Sequence, residues 1–128
     1  MVRALGFIDP CGRPPRQFSF PRYEGHIPQM DLRPFIDQGN WILTTFYMYL
    51  AYTDDYSILN DECGYFEIVD DRRNIVKYSD LKNSVLEHII RIADYLVSNI
   101  DREYSTNCLK ILFGDWNDAI DGIGHSLD

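Results

Sequence analysis

The chain has 128 residues, 45% of them hydrophobic and 25% charged, a balance that fits a folded globular protein and argues against disorder. Its net charge of -8 argues against a nucleic-acid binder, since no basic stripe is present to neutralise phosphates, and it repels acidic membrane surfaces. A neutral substrate such as a sugar suits this balance best.

Three cysteines, Cys11, Cys63 and Cys108, are too sparse for a disulfide framework and have no metal-ligand spacing, so no metal is expected. No run of 18 apolar residues is present and Met1-Val2-Arg3 does not open a signal peptide, so no membrane span is expected and the cytoplasm is the expected compartment.

Residues 1–35 hold all six prolines, which fix φ and exclude long helices, and the aromatics Phe18, Phe20 and Tyr23 suggest packing; an ordered loop is expected. From Asp37 to Tyr52 the character changes. Trp41 to Tyr52 contains no Gly or Pro and is apolar nearly all round, which predicts a helix buried on several sides. Thr53-Asp54-Asp55 ends it. Next, Gly64–Val69 and Ile75–Tyr78 flank a charged turn, so a small hairpin competes with an irregular loop.

Ser84 and Glu87 are spaced as a capping box for a second helix. Leu81, Val85, Ile89, Ile92, Leu96 and Ile100 give it one apolar face. His88 borders that stripe and is read as a structural histidine satisfied by packing and one hydrogen bond. Residues 101–110 are polar.

The chemistry-bearing stretch follows. Asp115, Asn117, Asp118 and Asp121 surround Trp116, with Gly114, Gly122 and Gly124 permitting sharp turns on either side. A carboxyl group shielded by an indole can stay protonated near neutrality and hand its proton to a departing glycosidic oxygen. The Trp face can stack on the apolar face of a sugar. Two plainer readings compete: a calcium loop, although the EF-hand spacing is absent, and an Asx-rich turn without chemistry.

Gly114-Asp115-Trp116-Asn117-Asp118 resembles the catalytic motif of glycoside hydrolase family 94, the cellobiose and chitobiose phosphorylases. Phe35 to Trp41 resembles that family's helix start. Tyr49 to Leu59 resembles its helix end and following turn, and Leu86 to Leu96 the helix before the catalytic loop. The similarity covers residues 35–118. It implies a mainly all-α fold, part of an (α/α)6 six-hairpin barrel with long loops and a possible small β-hairpin. Residues 1–128 would form part of a catalytic domain: a Pro-rich loop at 1–35, a helical hairpin with an insert at 36–100, and the catalytic loop at 101–128.

The resemblance further implies Asp118 as general acid, with Trp116, Asp115, Asn117, Asp37 and Trp41 around the sugar. Inorganic phosphate would be the co-substrate of an inverting phosphorolysis of a β-linked disaccharide or oligosaccharide, and no other cofactor is implied. An inverting hydrolase on the same barrel is the alternative, and a non-catalytic sugar-binding or scaffolding fragment is the alternative from another class. Two helices make one hairpin where the barrel needs six, so the expectation is a fragment, incomplete and inactive by itself, of a longer, active enzyme. The apolar helix would then seek a partner, with a homo-oligomer as one outcome.

Overall fold

The computed structural model describes residues 2–103, 107–110 and 112. In chain order the elements are a short helix α1 (Val2–Leu5), strands β1 (Gln17–Phe18) and β2 (Met30–Asp31), helix α2 (Asp37–Thr53), and a 3-10 turn at Tyr56–Asn60. Strands β3 (Glu62–Asp70) and β4 (Ile75–Ser84) and helix α3 (Val85–Ser98) complete them. This is a small α/β arrangement. It corrects the expectation of a mainly all-α barrel fragment: the segment between the two long helices is a full antiparallel hairpin, and a second pair, β1–β2, lies within the Pro-rich region. No helix among the described residues is long and apolar enough to cross a membrane.

The hairpin exceeds its expected length at both ends because pairing does not require an apolar alternation. Glu62 pairs with Ser84 and Cys63 with Asn83, so the polar stretch Ser79–Asn83 is strand. Cross-strand contacts hold it: Lys77 Nζ lies 2.8 Å from Glu67 Oε2, Ser79 Oγ donates to Glu67 Oε1, and Tyr65 Oη donates to Asn83 Oδ1. Asn74 closes the turn in the left-handed region (φ 56°) and also accepts the Leu32 N–H through Oδ1, tying β4 to the chain after β2.

Two register breaks in β3, between Gly64 and Phe66 and between Ile68 and Asp70, interrupt the ladder. The amides of Phe66 and Ile68 donate to the Ile8 carbonyl and to Asp9 Oδ2, binding the N-terminal segment along the hairpin. The consecutive residues Tyr65 and Phe66 are both buried, in different clusters. Tyr65 joins Leu5, Ile8, Phe46, Val85, Ile92 and Leu96, whereas Phe66 joins Phe7, Met30, Leu32 and Val76. The hairpin therefore has a core on each face, which removes the period-2 signal from its sequence.

Helix α3 begins where expected. Ser84 Oγ accepts the Glu87 N–H at 3.3 Å, but the Glu87 carboxylate turns to Arg91 Nε, so only half of the predicted capping box forms. The buried stripe is Val85, His88, Ile92 and Leu96; Leu81 lies in β4 and is exposed, and Ile100 bridges to Leu109 beyond the helix. Helix α2 crosses α3 at Gly39, where an added Cβ would meet Ile92 and Leu96 side-chain atoms at 3.1–3.2 Å. Its other side corrects the expectation of burial on several sides: Trp41, Tyr47, Met48 and Tyr52 are exposed. Gly12 (φ +92°) is required for close approach, since a Cβ there would stand 2.0 Å from the Arg91 carbonyl oxygen.

His88 is completely buried. Its Nδ1 lies 2.9 Å from the Ser84 carbonyl oxygen and its Nε2 2.9 Å from that of Gly64, while Tyr65 stacks on the ring at 3.9 Å. Cys63 Sγ stands 3.3 Å from Nε2, and burial, reinforced by Asp61 and Glu62, pushes the Cys63 thiol up to about 11, so it stays protonated. The ring thus joins β3, the end of β4 and α3. Replacing it removes packing and two polar contacts together: His88→Ala is expected to lower the unfolding free energy by about 3 kcal/mol, read from the urea midpoint at unchanged slope.

Candidate functional site

The first turns of α2 carry two of the residues that the sequence singled out. Asp37 opens the helix, where a carboxylate complements the dipole, and Trp41 follows one turn later on the same side. Trp41 Nε1 donates to Asp37 Oδ2 at 3.0 Å, and Gln38 Nε2 donates to Asp37 Oδ1 at 3.2 Å. One carboxylate therefore fixes an indole and an amide. With its N–H so engaged, the Trp41 ring remains 58% exposed and keeps its faces for a ligand.

Trp41 and Gln38 stand at a cleft of about 430 Å³, within the range of small-molecule sites. Ile42, Thr45 and Phe46 continue the α2 wall, and Leu5 and Ile8 reach it from the core. Pro14, Pro15, Arg16 and Phe18 form the opposite wall. Two consecutive prolines stiffen that wall, and Arg16 is pinned to it: its Nη1 lies 3.3 Å from Asp31 Oδ2, its amide donates to the Asp31 carbonyl, and its guanidinium carbon stands 4.5 Å from the Phe35 ring centroid. The lining is thus largely apolar, with an amide, a hydroxyl and a guanidinium at defined places. Such a site can bind and orient a ring with one apolar face.

Asp31 organises the Arg16 wall from behind. Arg33 reaches it with Nε and Nη2, the shortest contact being 2.7 Å. Those hydrogen bonds, together with the Arg33 amide and Arg16, hold the Asp31 carboxyl below the usual carboxylate range against the opposing effect of burial.

Of the sequence-derived site residues, Asp37 and Trp41 are brought together, and Asp115, Trp116, Asn117 and Asp118 lie outside the described residues. Sequence reasoning missed Gln38, Thr45 and the Pro14–Phe18 wall. The pair Pro14-Pro15 followed by a cation and an aromatic was the available signal, but nothing local connects it to a helix more than twenty residues on. Among the described residues, no three His, Cys, Asp or Glu side chains are grouped to hold a metal ion. No protein-family model matches the chain, and the search of curated proteins finds no match.

The Asp31 clamp has a definite pH signature. A carboxyl held low in the folded state stabilises it above the unfolded-state value, and that contribution is lost as pH falls through the folded value. Asp31→Asn is therefore expected to unfold at lower denaturant than the parent at pH 7, with the two converging as pH drops below about 4. A gap that stays constant down to acid pH would assign Asp31 a purely steric role.

Proposed function

We infer that the chain binds a carbohydrate in the cleft beside Trp41 as part of a carbohydrate-active enzyme. The observation that carries this reading is the exposed indole, braced by Asp37 and set at the mouth of a cleft whose wall also holds Gln38 and Arg16. An indole face offers broad apolar contact to the C–H face of a pyranose, and nearby polar groups can take its hydroxyls. Titration with cellobiose and related β-linked disaccharides, followed by ligand-observed NMR, tests it. Trp41→Ala is expected to weaken binding about tenfold or more, as loss of a central aromatic anchor does. Equal ligand signals for parent and variant would remove Trp41, and with it the cleft, from sugar recognition.

The catalytic half of the proposal belongs to Asp118. It is supported by the sequence of residues 114–118 and its resemblance to glycoside hydrolase family 94, and it does not carry the barrel architecture with it. In this reading Asp118 protonates the leaving oxygen while inorganic phosphate attacks with inversion, in the cytoplasm, releasing a sugar 1-phosphate. Phosphate brings its own charge, so no protein base is required. The experiment uses the longest protein that contains this sequence. Asp118→Asn should reduce turnover of an ordinary disaccharide by ~10²–10⁴-fold while sparing a glycosyl fluoride, whose leaving group needs no proton. Asp115→Asn should slow both alike. Equal turnover with and without phosphate would favour hydrolysis, and sugar binding without turnover would favour a non-catalytic binding role.

A further inference from the structure

The C-terminal half of α2 carries a second surface, which ends at Tyr52 about 16 Å along the helix from Trp41. Tyr52 is 81% exposed, Tyr47 70%, and Met48 between them is also exposed. Thr44, Met48 and Tyr52 form a row at i, i+4 and i+8, and Ala51 leaves a notch beside it. That is the ridge-and-groove relief into which another helix packs.

The charges that flank this row along the chain have one sign. Between Arg33 and Arg72 the sequence carries no Lys, Arg or His. The last turn of α2 has no basic residue, so its negative dipole end is uncompensated, and Asp54 and Asp55 follow directly. Among the described residues Asp54 and Asp61 enter no ion pair, while Asp55 accepts hydrogen bonds from Tyr49 Oη and Ser57 Oγ and keeps its charge at the helix end. A second copy of the chain would bring the same acids to the same face, Asp37 and Asp54 opposing each other in an antiparallel pairing. A partner with cations at its rim removes that repulsion, and the exposed faces of Tyr52 and Tyr56 suit cationic side chains.

We propose that this face of α2 docks a basic amphipathic helix of another protein, its apolar side on Met48 and Tyr52 and its Lys or Arg residues at Asp54 and the C-terminal end of α2. The test uses the whole chain and a fluorescent designed peptide with Leu and Lys in an amphipathic helical repeat, with Glu replacing Lys in one control and a scrambled order in another. Saturable anisotropy is expected with the Lys helix alone. Tyr52→Ser should weaken it about tenfold. Asp54→Asn, which keeps a residue tolerant of the left-handed conformation at φ 55°, should weaken it about two- to fivefold, and added salt should do likewise. Equal binding of the Lys and Glu helices, no binding of either, or insensitivity to both Tyr52→Ser and Asp54→Asn overturns the proposal. Concentration-dependent dimers abolished by Tyr52→Ser, with no peptide bound, assign the face to a second copy and overturn it as well.

Discussion

Ser84 belongs to two elements at once. Its backbone closes the β4 ladder opposite Glu62, and its side chain caps the first turn of α3. Its carbonyl oxygen also receives the His88 ring. Because strand becomes helix with no residue between them, the direction of α3 follows from the plane of the hairpin. The Val85 amide donates to the Asp61 carbonyl, and the His88 ring meets Gly64, so β3 is bound into the same joint. From there the order of the fold propagates outward. Helix α3 offers Ile92 and Leu96 to Gly39, which sets the crossing of α2, and α2 in turn holds Asp37, Gln38 and Trp41 at the cleft.

How far the sequence foretold this depends on whether an interaction is local. The two long helices could be read because their signals lie within a few residues: a serine cap three before a glutamate, a stripe at three-to-four spacing, an Asp-Asp stop. Asp37 and Trp41 were reached instead through the family resemblance, and the helix sets them one turn apart on one side. Leu81 was assigned to the stripe because it stands four residues before Val85, yet the backbone there pairs with β3 and the spacing is coincidental. The full hairpin escaped detection because its two faces feed different cores, so Tyr65 and Phe66 are both buried and the alternation expected of a half-buried strand is lost. The Arg16 wall escaped because its position depends on Asp31, Arg33 and Phe35, which reach it only through the folded chain.

The correction of fold class also reshapes the functional argument. A six-hairpin barrel would have supplied a site by analogy, with residue roles inherited from the architecture. The α/β arrangement supplies a different kind of support, a cleft with named walls and a braced indole, and this stands or falls on its own chemistry. Asp37 illustrates the difference. Read as a sugar-binding residue, it would point a carboxylate at a ligand; here both its oxygens already accept hydrogen bonds, from Trp41 and Gln38, and its part is to hold those two groups in place.

The strand-to-helix joint also restricts how this chain can change length. Each residue of an α-helix turns the chain by about 100°. One residue inserted or deleted between Ser84 and Val85 would rotate the whole of α3 by that angle relative to the hairpin, carrying His88, Ile92 and Leu96 off the core together. The Asp71–Asn74 turn lies at the far end of the same hairpin and is exposed, apart from the contacts that Asn74 makes with Leu32 and Asp71 with Arg13. Divergent forms of this sequence should therefore accumulate their insertions and deletions at residues 72–73 and keep the step from 84 to 85 free of them.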